Sequence, residues 1–195
     1  IKDLPIRGGL HVLGEPPEGE GLRHLAAQIM RLGAGEVPGL RRAVAAAFGL
    51  DERELAADGG APVRAPEGLL SRFPGPSATA SDLLDRLEEA QQALLAALER
   101  RGWDPGAAEE VCGEVLGRAD AGVARSLRFA AGEVVPRLLG ASREMESLLA
   151  GLEGRYVPAG PSGSPTRGQI NVLPTGRNFY SVDPRAIPSR LSWEV

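Results

Sequence analysis

The chain has 195 residues, 43% hydrophobic but only 4% aromatic, with 22 basic and 26 acidic side chains and a net charge of -4. Such a length allows a sizeable core, built here from Leu, Ala and Val, the usual material of packed helices. The interspersed charges give no support to a nucleic-acid binder, no apolar run reaches the roughly 20 residues of a membrane span, and a single cysteine excludes an internal disulfide or a cysteine-based metal cluster.

Cys112 as the lone cysteine and the absence of a charged-then-apolar opening point to a cytoplasmic protein. The sequence starts at Ile1 without a Met and stops at Val195 within what reads as structured sequence, so it is expected to be a fragment of a larger multidomain protein. The expected fold class is mainly α. Residues 1–18 form a short strand or loop, 19–154 a helical, bundle-like scaffold, and 155–195 an ordered, irregular segment rich in Pro, Gly and Arg.

Residues 1–18 carry a short alternation, Leu10 and Val12 around His11, between Gly8, Gly9 and Gly14. Over so few residues periodicity does not separate strand from loop. His11 is a weak candidate for proton or metal handling, against the commoner role of a hydrogen-bonded structural histidine. His24 sits in a helical pattern and reads as structural.

From Glu20 to Leu32 the apolar spacing of three and four predicts a helix stopped by Gly33 and Gly35. A second helix starts near Pro38 and runs to Gly49, forming a hairpin with the first. Residues 51–76 read as irregular, broken by Gly and Pro, with a short helical turn between Glu67 and Phe73. The strongest helix spans Ser81 to Arg101, capped by Thr79 or Ser81, with acidic residues at its start, Arg100 and Arg101 at its end, and Asp82 paired to Arg86.

Asp104 and Pro105 open a helix that ends at Gly117 and contains Cys112, which reads as a small core residue. Another helix runs from Ala119 to Leu139, kinked or divided by Pro136. The last, Ser142 to Leu152, carries Met145, Leu148, Leu149 and Leu152. The neighbouring pairs Glu88 with Glu89 and Glu109 with Glu110 point about 100° apart on a helix and read as solvated faces, not acid/base dyads. No phosphate loop, nucleophile elbow or HExxH zinc signature is present, and RGGLHVLG does not satisfy a dinucleotide fingerprint.

The segment after Gly154 gathers Arg167, Arg177, Arg185 and Arg190 with Thr175, Asn178, Tyr180 and Ser181. Its density of Pro and Gly forbids a long helix or a central strand, while its branched and aromatic residues argue for order. Arginine forks suit carboxylates, so a ligand with several carboxylates would fit; equally, the arginines could brace the loop against carbonyls and Asp183.

The runs GRYVPAGPSGSPTRG (154–168) and LPTGRNFYSVDPRAIPS (173–189) closely resemble the large subunit of cobaltochelatase, itself similar to the porphyrin-binding H subunit of magnesium chelatase. The opening IRGGLHVLGEPP (6–17) resembles a further block of that family, so the resemblance extends over the whole chain. Gly176 to Tyr180 reads GRNFY, as in the cobalt enzymes, whereas magnesium subunits tend to have Lys at the position of Arg177 and His at that of Tyr180. The resemblance implies ATP-dependent insertion of Co²⁺, the substrate metal, into hydrogenobyrinic acid a,c-diamide during cobalamin synthesis. ATP and Mg²⁺ would belong to partner subunits of the AAA+ type. It further implies that Thr175, Arg177, Asn178, Tyr180 and Arg185 line or support the tetrapyrrole site, with no resident metal ligand among them. The alternatives are a magnesium chelatase H subunit, which inserts Mg²⁺ into protoporphyrin IX, and a helical interaction module that docks the ATPase subunits without binding the ring. The isolated piece is expected to be inactive.

Overall fold

In the computed structural model, described over residues 12–161 and 163–177, the element that organises the rest is a helix of 21 residues, Ala80–Arg100. Its start is fixed by sequence. The Thr79 hydroxyl accepts from the Asp82 N–H at 3.2 Å and the Asp82 carboxylate accepts from the Thr79 N–H at 2.9 Å, so two donors of the first turn are satisfied reciprocally. Asp82 also accepts from the Ala78 N–H at 3.0 Å. The carboxylate is thereby occupied, and the expected pair with Arg86 is replaced: Arg86 bonds the Pro74 carbonyl and Glu89 instead.

Numbered in chain order, the helices are α1 (Gly19–Met30), α2 (Leu40–Ala47), α3 (Glu52–Ala57), α4 (Glu67–Leu70), α5 (Ala80–Arg100), α6 (Ala108–Leu116), α7 (Ala121–Phe129), α8 (Val135–Leu139) and α9 (Arg143–Leu152). Among the described residues there is no strand, only two isolated bridges. Helix α5 packs against α1, α2, α3, α6 and α7, and buries Leu83, Leu87, Ala90, Leu94, Leu95, Ala97 and Leu98. Two-sided burial of this kind follows from a helix with leucines on adjoining faces. Helices α1 and α2 each pack chiefly on other partners, α1 on α5 and α2 on α5 and α7, so the expected hairpin contact is a minor one.

Helix α3 departs from the irregular stretch expected at 51–76. Asp51 caps it by accepting from the Arg53 N–H at 2.7 Å, and Leu55 anchors it in the core. The predicted division at Pro136 takes the form of a π-helical turn, Ala130–Val134, just before α8. The Val135 N–H reaches back to the Ala130 carbonyl, one residue further than in an α-helix. The proline ring, which cannot donate and would crowd the preceding turn, is accommodated by this wider turn.

Cys112 is fully buried, with its thiol directed at the Arg118 carbonyl at 3.4 Å. Burial pushes its pKa up, which removes thiolate character and fits a core residue. The acidic pairs are also structural: Glu88 faces Arg41, Glu89 pairs with Arg86, Glu109 with Arg128, and Glu110 with Arg101.

Candidate functional site

The irregular segment is ordered through Arg177 by three physical means. Its short 3₁₀ turns, Pro165–Arg167 and Ile170–Val172, are closed by local hydrogen bonds such as Gly168 N–H to the Pro165 carbonyl at 3.2 Å. Apolar residues seat it on the helices: Leu173 is buried in the common core, Ile170 packs against that core, and the first turn rests on α1. The third is Arg177 itself. Its guanidinium donates to the Asn171 carbonyl at 3.0 Å and to the Pro174 carbonyl at 3.3 Å, with the Val172 and Leu173 carbonyls at 3.5 Å. Several carbonyls of one strap thus converge on a single planar donor, an arrangement that suits Arg and not the compact ammonium of Lys. Gly160 comes so close that a Cβ there would lie 2.8 Å from the guanidinium carbon.

The loop then meets α9 at Glu144. This carboxylate is 1% exposed, and its Oε2 accepts from the Gly14 N–H at 2.8 Å, across 130 positions of sequence. From the other side Gly176, with φ +88°, lies so close to α9 that a Cβ would sit 2.6 Å from the Glu144 Cα. Pro174 presses on Gly140, where a Cβ would approach it to 2.9 Å. The opening block that ends in GEPP and the C-terminal block LPTGR therefore converge on one buried glutamate.

Of the residues predicted for the site, Thr175 and Arg177 fall in this convergence. Thr175 is half-buried, and its hydroxyl makes no hydrogen bond to the described residues. Arg177 supports the loop. Asn178, Tyr180, Arg185 and the candidate His11 lie outside the described residues. Arg167, gathered with the other arginines from sequence but not selected for the site, is exposed and has no ion pair or hydrogen-bond acceptor for its guanidinium among the described residues. Among the described arginines of the loop, it is the one with its guanidinium open to solvent and without a partner. Glu144, the buried carboxylate at which the two blocks meet, is not singled out by the sequence.

A separate open cleft of about 380 Å³ lies between α1, α2 and α5, edged by His24, Arg31, Arg41, Asp85, Glu88 and Gln91. Among the described residues of the strap, none lines it. Arg41 is held at its edge by Glu52 at 2.6 Å, and His24 stands 3.7 Å from Glu20. Gln91, 2% exposed, reaches the Ala27 carbonyl at 3.4 Å and leaves its own Oε1 unpaired. No group of three or more metal-ligating side chains occurs among the described residues.

The family model described as CobN/Magnesium Chelatase matches residues 1–195. The chain belongs to this family. Its cobalt-side relatives match along the whole length: the aerobic cobaltochelatase subunit CobN of Pseudomonas aeruginosa is 39% identical over 100% of this chain and 15% of its own. The catalytic subunit of cobaltochelatase from Mycobacterium tuberculosis superposes with a TM-score of 0.68 at 43% identity, over 96% of this chain and 14% of that one. A magnesium-side relative, the magnesium-chelatase H protein of Chlorobaculum parvum, is 49% identical but over 53 residues, 27% of this chain and 4% of its own. The chain thus spans about one seventh of the length of the CobN relatives it matches. The helical family fold and its irregular C-terminal strap are as the sequence led one to expect.

Proposed function

We propose that this chain is part of the large, tetrapyrrole-binding subunit of a cytoplasmic cobaltochelatase, and that the loop seated on Glu144 is an element of the ring site. The observation that carries the reading is the convergence of the Gly14 block and the Thr175 to Arg177 block on one buried carboxylate. These stretches belong to the runs whose resemblance to the family was set out from the sequence, and proteins place binding residues on loops held by a rigid scaffold.

The net reaction is displacement of the inner N–H proton of the corrin ring by Co²⁺ as the metal sheds water. Within it, the chain's part is recognition. Arg167 offers a planar fork for a peripheral carboxylate, Thr175 a hydroxyl, and Arg177 holds the backbone that presents them; Asn178, Tyr180 and Arg185, next in sequence, are assigned to the same ring-binding task. Nucleotide chemistry, with ATP and Mg²⁺, belongs to AAA+ type partner subunits. Cobalt is favoured over magnesium by the GRNFY run and by relatives of the cobalt enzyme that match this chain end to end, where the magnesium relatives match a short part.

The test is insertion by a full-length large subunit carrying this chain, followed by absorbance in the presence of the ATPase subunits. ATP-dependent cobalt insertion into hydrogenobyrinic acid a,c-diamide is expected. Magnesium insertion into protoporphyrin IX, with no cobalt reaction, would overturn the assignment of the metal.

A further inference from the structure

Helix α9 is turned opposite to an ordinary surface helix. Its buried residue is the charged Glu144, whereas Met145, Leu149 and Leu152, spaced four and three apart on one face, are 43%, 52% and 77% exposed. The Glu144 bond to Gly14 and the close approach of Gly176 hold the helix in this sense. The apolar face does not stop at the helix. Gly14 packs on Met145, which brings the exposed Val12 and Leu13 alongside, and Tyr156, 85% exposed, follows the helix end. Several exposed large apolar side chains gathered on and beside one helix are uncommon on a free surface and mark an interface.

We infer that this face is a permanent interface within the large subunit, covered by the remainder of its own polypeptide. Length supports that occupant: the cobaltochelatase relatives match this chain with only 14% to 16% of their residues, so most of such a subunit lies beyond it. Chemistry separates it from a transient partner. Glu153 and Arg155, which follow the helix, pair with each other at 2.6 Å, and the centre of the face is aliphatic and aromatic. Interfaces that never open have this character of a core cut in two, whereas transient ones are more polar.

The inference rests on family membership and relative length, and stands whether or not the loop binds a tetrapyrrole. Hydroxyl-radical footprinting of the full-length large subunit, read by peptide mass spectrometry, tests it without any substitution. Tyr156 and Leu152 are expected to be modified at least tenfold more slowly than their intrinsic reactivities, at every protein concentration and without partners. Modification at the rate of freely exposed side chains would overturn the inference. Protection that grows with concentration would assign the face to a second copy, and protection seen only with the ATPase subunits would assign it to them; either result overturns the interface within the subunit.

Discussion

Arg177 shows how a residue can order a loop through its guanidinium without offering its charge to solvent. Its guanidinium is committed to the carbonyls of Asn171 and Pro174, so what it presents to solvent is a fixed backbone. Gly176 is the second such residue. Its φ of +88° is strained for any side chain, and a Cβ would collide with Glu144. Gly176→Ala is therefore expected to cost more than about 2 kcal/mol in thermal unfolding, from the strain and the overpacking together. A melting temperature equal to that of the parent would contradict the close seat on α9. The irregular course of the strap around Thr175 and Arg177 is legible in the sequence because Gly and Pro there forbid regular structure, whereas a ring-binding role for either residue is an expectation that comes from the family resemblance. Glu144 is illegible for a physical reason: a Glu beside Met and Leu in a helical pattern reads as solvent-facing, and its burial is decided by residues 130 positions away.

At the scale of elements, α5 is the most legible, since its cap, charges and leucine spacing agree with one another. Thr79→Ala removes one half of the reciprocal cap and is expected to cost about 1 kcal/mol, measured by denaturant unfolding. Hydrogen bonds from the Thr79 backbone and then its hydroxyl hold the Asp82 pKa below its ordinary 3.8. A carboxylate with a depressed folded pKa stabilises fully above the unfolded value and loses that contribution as pH falls through the folded one. The melting-temperature gap between parent and Asp82→Ala should hold at about pH 6 and close as pH drops below 3.8; a gap that persists in strong acid would show that the charge is not its source. Helix α3 is hidden in the sequence because Gly59, Gly60 and Pro62 follow it closely, and six residues are too few for a periodic signal. Conversely, the existence of α9 is legible but its orientation is not, because a leucine stripe ordinarily points inward.

For the molecule as a whole, the helices pack around α5, the C-terminal strap is laid on them, and one glutamate joins the strap to the opening segment. The mainly helical class follows from composition and from the 3.6-residue spacing, while the meeting of the opening segment with the strap is a tertiary fact that no local pattern encodes. The chain corresponds to about one seventh of the length of its CobN relatives, so the roles proposed for the strap and the apolar face of α9 are tested in a full-length large subunit. The central claim is that the strap tied by Arg177 is a tetrapyrrole-binding element. Fluorescence-quenching titration of the full-length large subunit with hydrogenobyrinic acid a,c-diamide tests it most directly, comparing the parent with Arg177→Ala and Arg177→Lys. Both variants are predicted to remain folded and to bind at least tenfold more weakly, a loss of about 1.4 kcal/mol, because neither side chain can gather the carbonyls of the strap. Parental affinity in a folded Arg177→Ala subunit would contradict the claim.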